Sequence, residues 1–245
     1  LQPLTPSELT STFQKTSRLQ MCRAYTSLTR IGYLTLFSSS RSNRAKPYTV
    51  TELKDDVGLE LNNLTPFKTP LLNDPFIAAG IGLAILETYV SLTFHVPFIF
   101  FFGSTLTLIA LDKFIFNGII NDYIVDKNNK GGYKERIGVH EAGHFLVCYL
   151  LGCPVEGVVL SSLEAMRDVR FGGLTTSVSA GTSFFDETFN REIEQGSITK
   201  GTVDRYSIIV MAGIASEGMC YERAEGGASD EEALVQFLRS INPEK

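Results

Sequence analysis

The sequence predicts a mainly α protein with a small β element, in which a two-helix transmembrane hairpin precedes a mostly helical C-terminal domain. Three observations carry that prediction. Between Pro75 and Leu111 the only charged side chain in 37 residues is Glu87. A polar stretch from Asp126 to Gly132 (DKNNKGG) then marks a domain boundary. Beyond it, three long runs read as helices, the first stopped by Gly152 and Pro154.

Composition bounds the rest. A chain of 245 residues, 44% of them hydrophobic, holds one large domain or two small ones with ample core, which excludes disorder throughout. The net charge of -5 hides an asymmetry: residues 1–48 carry seven Lys or Arg against the single acid Glu8, leaving 15 basic and 26 acidic residues in the remainder. An acidic globular part argues against a nucleic-acid partner. The four cysteines (Cys22, Cys148, Cys153 and Cys220) form no C-x-x-C pair, so neither a zinc knuckle nor a disulfide framework is indicated, and a reducing compartment fits best.

Taken in order, residues 1–48 hold 15 Ser or Thr, and this basic, Ser-rich, acid-poor composition reads as an organelle transit segment or a flexible basic tail. Residues 49–74 form a short connection, with Thr49 and Glu52 at capping-box spacing for a brief helix. Residues 75–125 are the hairpin. Phe76 to Phe94 spans ~28 Å at ~1.5 Å per residue, enough to cross a bilayer. Val96 to Leu111 returns, extending through Phe114, Ile115, Phe116 and Ile119 if Asp112 and Lys113 reach an interface. His95 and Pro97 form the turn. Glu87 inside the first span has to be protonated or paired across the hairpin. Lys68 before the pair, with Lys127, Lys130, Lys134 and Arg136 after it, puts both flanks on the cytosol-equivalent side.

Residues 126–245 are the working domain. Tyr133 to Leu151 is a helix, Val155 to Leu160 a short strand, and Phe171 to Val178, with Gly172 and Gly173, a strand able to pair near it. Ser179 to Gly196 is polar, with Asp186, Glu187, Glu192 and Glu194, and reads as a solvated excursion. Thr202 to Tyr221 and Ser229 to Ile241 are further helices, the latter capped by Ser229 or Asp230.

The first of these helices carries His140-Glu141-Ala142-Gly143-His144, and it uses two of the chain's three histidines. An H-E-x-x-H spacing puts two imidazoles one turn apart on one helix face with a carboxylate beside them. Such a pair suits Zn2+, which in catalytic sites takes three protein ligands and keeps a fourth position for water, whose pKa it lowers toward ~7. His140 and His144 supply two ligands, and Glu141 is placed to act as general base and then to protonate a leaving amine. Ala142 and Gly143 are small enough to let another backbone approach the metal helix.

H-E-A-G-H is the form of this motif in the FtsH-type zinc metalloproteases, and the chain resembles that family over roughly residues 135–240. The likeness implies a later helix of small residues followed by a glutamate, matched here by Met211-Ala212-Gly213-Ile214-Ala215-Ser216-Glu217. It also implies a G-A-S-x-D stretch whose aspartate completes the zinc site. Gly226-Gly227-Ala228-Ser229-Asp230-Glu231 looks like that stretch but is one residue short, so Asp230, the favoured ligand, and Glu231 both fit the position. Glu217 is expected to orient a ligand histidine. Gly172-Gly173 resembles the place where such proteases present an edge strand to an extended peptide.

Typical members carry an ATPase domain between membrane anchor and protease, and no G-x-x-x-x-G-K-[ST] occurs in this sequence. The likeness is greatest to the plastid FtsH-like proteins that lack that domain. What it implies is a membrane-anchored, zinc-dependent endopeptidase with Glu141 as base, acting on a peptide or protein substrate without its own ATPase. The alternative is a proteolytically silent scaffold or assembly factor of an organellar membrane complex. A chloroplast membrane (thylakoid or inner envelope) with the protease domain in the stroma is the expected location, the mitochondrial inner membrane the second, and a separate ATPase the expected partner. An intramembrane site-2-type protease ranks lower, because Lys134, Glu135 and Arg136 precede the motif and no long apolar span follows Leu151.

Overall fold

The computed structural model describes residues 18–42, 48–66, 75–114, 132–172, 178 and 180–241, with the backbone alone at 75–79 and 113–114. The chain is mostly helical with one two-stranded sheet, and it divides into two compact units.

The larger unit takes the described residues of Leu1–Pro66, Val139–Val158 and Thr182–Lys245. It opens with helix α1 (Arg18–Arg30), followed by α2 (Val50–Val57), where Thr49 and Glu52 form the reciprocal capping box that their spacing predicts. Helix α5 (Gly132–Leu151) enters this unit at Val139. It ends in a Schellman motif, with Gly152 at φ 75°, Cys153 N–H donating to the Cys148 carbonyl at 2.8 Å and Gly152 N–H to Tyr149 at 3.1 Å. Strand β1 (Val155–Val159) pairs with β2 (Gly181–Phe184), and α7 (Glu187–Glu194), α8 (Lys200–Tyr221) and α9 (Ala228–Ile241) complete the unit.

Its core is built where these elements meet. Cys148 from α5, Cys153 and Ile209 from α8 are almost fully buried, with Val147, Leu151, Val155 and Phe184 packed against them. A second, aromatic cluster ties α9 to α8: Tyr206 lies 4.6 Å from Phe237 and stacks at 5.1 Å on Phe189 of α7. Such pairs add roughly 0.5–1.5 kcal/mol beyond area burial. They fix the helix whose first turn carries Asp230.

Residues 18–42 of the basic segment pack on this unit. Met21 and Phe37 are buried, and Phe37 sits between Tyr25 and Tyr149 at 4.9 and 5.4 Å. Ser40 donates its backbone N–H to the Leu150 carbonyl at 2.9 Å, near the open end of α5, and Ser38 N–H adds a second bond at 3.0 Å to the Tyr149 carbonyl that Gly152 already reaches. Arg18 makes a two-pronged ion pair with Glu156 of β1 at 2.7 and 3.1 Å.

The smaller unit takes the described residues of Phe67–Gly138 and Val159–Gly181. It contains the helical pair α3 (Pro75–Phe94) and α4 (Phe98–Phe114), and the short helix α6 (Ser162–Arg167) with the 3-10 turn Val169–Phe171. The expectation of a transmembrane hairpin is corrected here: among the described residues no helix is long and apolar enough to cross a membrane. The turn falls where the sequence puts it, with His95 at φ 55° followed by Pro97, but the return helix α4 has only 17 residues. That is ~26 Å against a hydrocarbon thickness of ~30 Å. In α3, Glu87 is followed by Thr88, Ser91 and Thr93 in the last two turns. The positive-inside argument from the flanking lysines falls with the spans. The pair itself forms: Glu87 is buried and accepts a short hydrogen bond from Thr105 of α4, so its carboxylate is paired across the hairpin.

Two smaller differences concern the sheet. The strand expected over 171–178 falls largely outside the described residues, and its first residue, Phe171, closes the 3-10 turn with Gly172 left-handed at φ 96°. The partner of β1 is instead Gly181–Phe184, within the stretch expected to be a solvated excursion. There Asp186 and Glu192 are buried because each has partners: Asp186 caps α7, accepting from Thr188 and Phe189 N–H, and pairs with Arg205, and Glu192 accepts at 2.8 Å from the N–H of Thr199, the N-cap of α8.

Candidate metal centre

The larger unit brings His140, His144 and Asp230 together from two helices 86 residues apart at their nearest members. His140 and His144 lie one turn apart on α5, and Asp230 stands in the first turn of α9. His140 Nε2 is 2.8 Å from Asp230 Oδ2, His144 Nε2 is 3.5 Å from the same oxygen, and the two Nε2 atoms are 3.1 Å apart. Glu231 is exposed and outside the group, so of the two acids left open at this position it is Asp230 that joins the histidines.

The outward nitrogens decide what the inner ones can do. His144 Nδ1 lies 2.8 Å from the Ile209 carbonyl, which can only accept, so Nδ1 carries the proton. His140 Nδ1 faces Glu217 Oε1 at 2.8 Å and donates likewise. In the neutral tautomers both Nε2 lone pairs then point toward the Asp230 carboxylate. Three converging acceptors repel one another unless a cation joins them. A tetrahedral zinc bound at ~2.0–2.1 Å needs ligand atoms roughly 3.3–3.4 Å apart, and the edges of 2.8, 3.1 and 3.5 Å bracket that value. The set of two imidazoles and one carboxylate is a zinc donor set, and these residues fit the ion.

Without a metal, a proton takes the cation's place. Burial works against a charged His140, but the Asp230 and Glu217 carboxylates outweigh it and raise its pKa from 6.5 to about 9. Burial would likewise raise Asp230, yet hydrogen bonds from His140 and His144 hold its carboxyl well below the usual carboxylate range. Glu141 is 5% exposed, and burial pushes its pKa up, against the hydrogen bond that it accepts from Thr182.

Small residues let the parts approach. A Cβ at Gly143 would lie 2.1 Å from Ser216 Oγ and 2.6 Å from the Ala212 carbonyl, so α5 and α8 pass closer than any side chain there permits. A Cβ at Gly213 would lie 2.3 Å from His140 Nε2 and 2.5 Å from His144 Nε2, placing both ligand nitrogens over bare backbone. Glu217, 2% exposed, holds His140 with one oxygen. It also accepts backbone N–H bonds from Glu225 and Gly226 at 3.0 and 3.2 Å. One carboxylate thus orients the His140 imidazole and shapes the loop that leads to Asp230.

Two contacts have no counterpart in the pattern. Thr182 of β2 donates from Oγ1 to Glu141 Oε2 at 2.7 Å, and the Ile209 carbonyl sets the tautomer of His144. Nothing in the local sequence marks Thr182, which stands in a polar run with no motif of its own. The Ile209 contact is made by the backbone and carries no side-chain signature. His95 lies in the hairpin turn, in the other unit. No protein-family model, curated protein or solved structure matches the chain.

Proposed function

We propose that the chain is a zinc-dependent endopeptidase of FtsH-like type, acting on loosely folded peptide or protein substrates. The observation that carries this reading is the convergence of His140 Nε2, His144 Nε2 and Asp230 Oδ2, on the helix that also bears a buried Glu141. Zinc held there supplies a Lewis acid and a water acidic enough to attack a peptide carbonyl near neutral pH. The chain's own residues do the rest. Glu141 takes the proton of the attacking water and gives it to the departing amine nitrogen, since an amide does not leave as an anion. Glu217 and the Ile209 carbonyl keep both imidazoles in the tautomer whose Nε2 is free to ligate. No phosphate-binding loop occurs in this sequence, and the partner we propose for folded substrates is a separate ATPase. On the likeness to plastid members, the setting we propose is a chloroplast, with a mitochondrion second.

Replacing Glu141 by Gln tests the reading, with casein cleavage and zinc content measured on the same sample. The variant is expected to keep its zinc and lose at least 100-fold in turnover, the scale on which general bases contribute. A wild-type chain that carries zinc but does not cleave would replace the protease by the scaffold reading, and a Gln variant that cleaves equally well would remove Glu141 as the general base.

A further inference from the structure

Glu141 is tied down by a residue that the H-E-x-x-H pattern does not call for. Thr182 Oγ1 lies 2.7 Å from Glu141 Oε2 and 3.3 Å from the Glu141 carbonyl oxygen. Both are acceptors and the hydroxyl has one proton, which goes to the nearer carboxylate. Threonine is branched at Cβ and stiff about χ1, and here it stands on a paired strand, so the donor is held from both ends. The next residue anchors the strand on its other face: successive side chains alternate, and Ser183 Oγ donates to Glu156 Oε2 at 3.1 Å. Glu156 is in turn gripped by Arg18. Strand β2 is thereby fixed on both faces beside the base.

We propose that Thr182 is the positioning residue for Glu141, holding Oε2 so that Oε1 is presented to the water that attacks substrate. The proposal rests on the protease reading above. Glu141 has few other ways to be held: a buried glutamate turns about three side-chain bonds, and the hydrogen bond from Thr182 removes that freedom from the end that reacts. A base fixed in one orientation contributes to the rate and little to substrate binding.

The test compares Thr182→Val, which keeps the shape and loses the hydroxyl, with Thr182→Ser, which keeps the hydroxyl, in the full chain loaded with zinc. Casein kinetics give kcat and KM. Binding of acetohydroxamate, whose own proton Glu141 would accept at the metal, gives a readout independent of turnover. The Val variant is expected to lose about 10- to 100-fold in kcat with KM within about twofold and zinc content unchanged, and to bind acetohydroxamate about tenfold more weakly. Ser is expected to restore both to within about threefold. Val with wild-type kcat and hydroxamate affinity overturns the proposal, as does equal loss in Val and Ser, which would assign the effect to packing of the methyl. Glu141→Gln in the same assays separates the two levels. An inactive Gln variant beside a fully active Val variant sinks the Thr182 proposal alone. An active Gln variant sinks the reading of Glu141 as general base and the proposal with it, and a wild-type chain that holds zinc without cleaving sinks the protease reading itself.

Discussion

Gly213 is the glycine whose added methyl group would press on both histidine nitrogens of the candidate metal centre. It sits inside α8, where Gly→Ala ordinarily stabilises a helix by about 1 kcal/mol. Here the added Cβ would stand 2.3 and 2.5 Å from His140 Nε2 and His144 Nε2, about 1 Å inside an ordinary carbon–nitrogen contact of ~3.4 Å. Those atoms belong to rings fixed by Glu217 and by the Ile209 carbonyl, so the imidazoles must tilt away and the ligand triangle opens. Overpacking of this kind costs about 1–3 kcal/mol. If that cost falls on the metal-bound form, zinc affinity drops by roughly 5- to 150-fold, while the metal-free fold is partly compensated by helix propensity. Zinc titration in competition with a chromophoric chelator reads the affinity, and urea unfolding of the metal-free chain reads the fold. Gly201→Ala, where a Cβ meets nothing within 4 Å, is the control and should leave zinc binding unchanged. Wild-type zinc affinity in Gly213→Ala would refute the claim that both nitrogens converge above this residue.

Two further outcomes follow from the same geometry. In the metal-free chain the His140 pKa is raised from 6.5 to about 9. Its contribution to stability is therefore fully present below pH 6.5 and lost as the pH rises through 9. The gap is worth at most ~3 kcal/mol, shared with Asp230. Because zinc displaces that proton, its apparent affinity should tighten about tenfold per pH unit up to about pH 9 and then level off, and a pH-independent affinity would contradict the assignment. Phe37→Ala, at a residue 8% exposed between Tyr25 and Tyr149, should cost about 3 kcal/mol and lower Tm by roughly 6–12 °C in a thermal scan. A shift below about 2 °C would mean that residues 18–42 do not pack on α5 in solution.

The parts of this molecule that were legible in the sequence are those governed by local rules. The capping box at Thr49 and Glu52, the helix stop at Gly152 and the ends of α5, α8 and α9 follow from a few neighbouring side chains, and each falls within two residues of its expected position. The juxtaposition of His140 with His144 is set by helix pitch, and that of Asp230 with both was suggested by resemblance. What escaped depends on distant partners. Asp186 and Glu192 look solvent-seeking until Arg205 and Thr199 are placed beside them. Thr182 reaches Glu141 only because β2 pairs with β1. The hairpin and its turn at His95 and Pro97 were legible, but its crossing of a membrane was not, because the return helix was expected to extend through Ile119 and α4 is described only to Phe114.

The central claim is the metal centre, and zinc content per chain tests it most directly. We would measure it by mass spectrometry on the full-length chain purified with limiting zinc, beside His144→Ala and Asp230→Ala, with chelator-sensitive casein cleavage on the same samples. Close to one zinc in the wild type, lost in both variants together with cleavage, is the predicted result. A wild-type chain that is folded and holds no zinc, or an Asp230→Ala chain that retains it in full, would contradict the account.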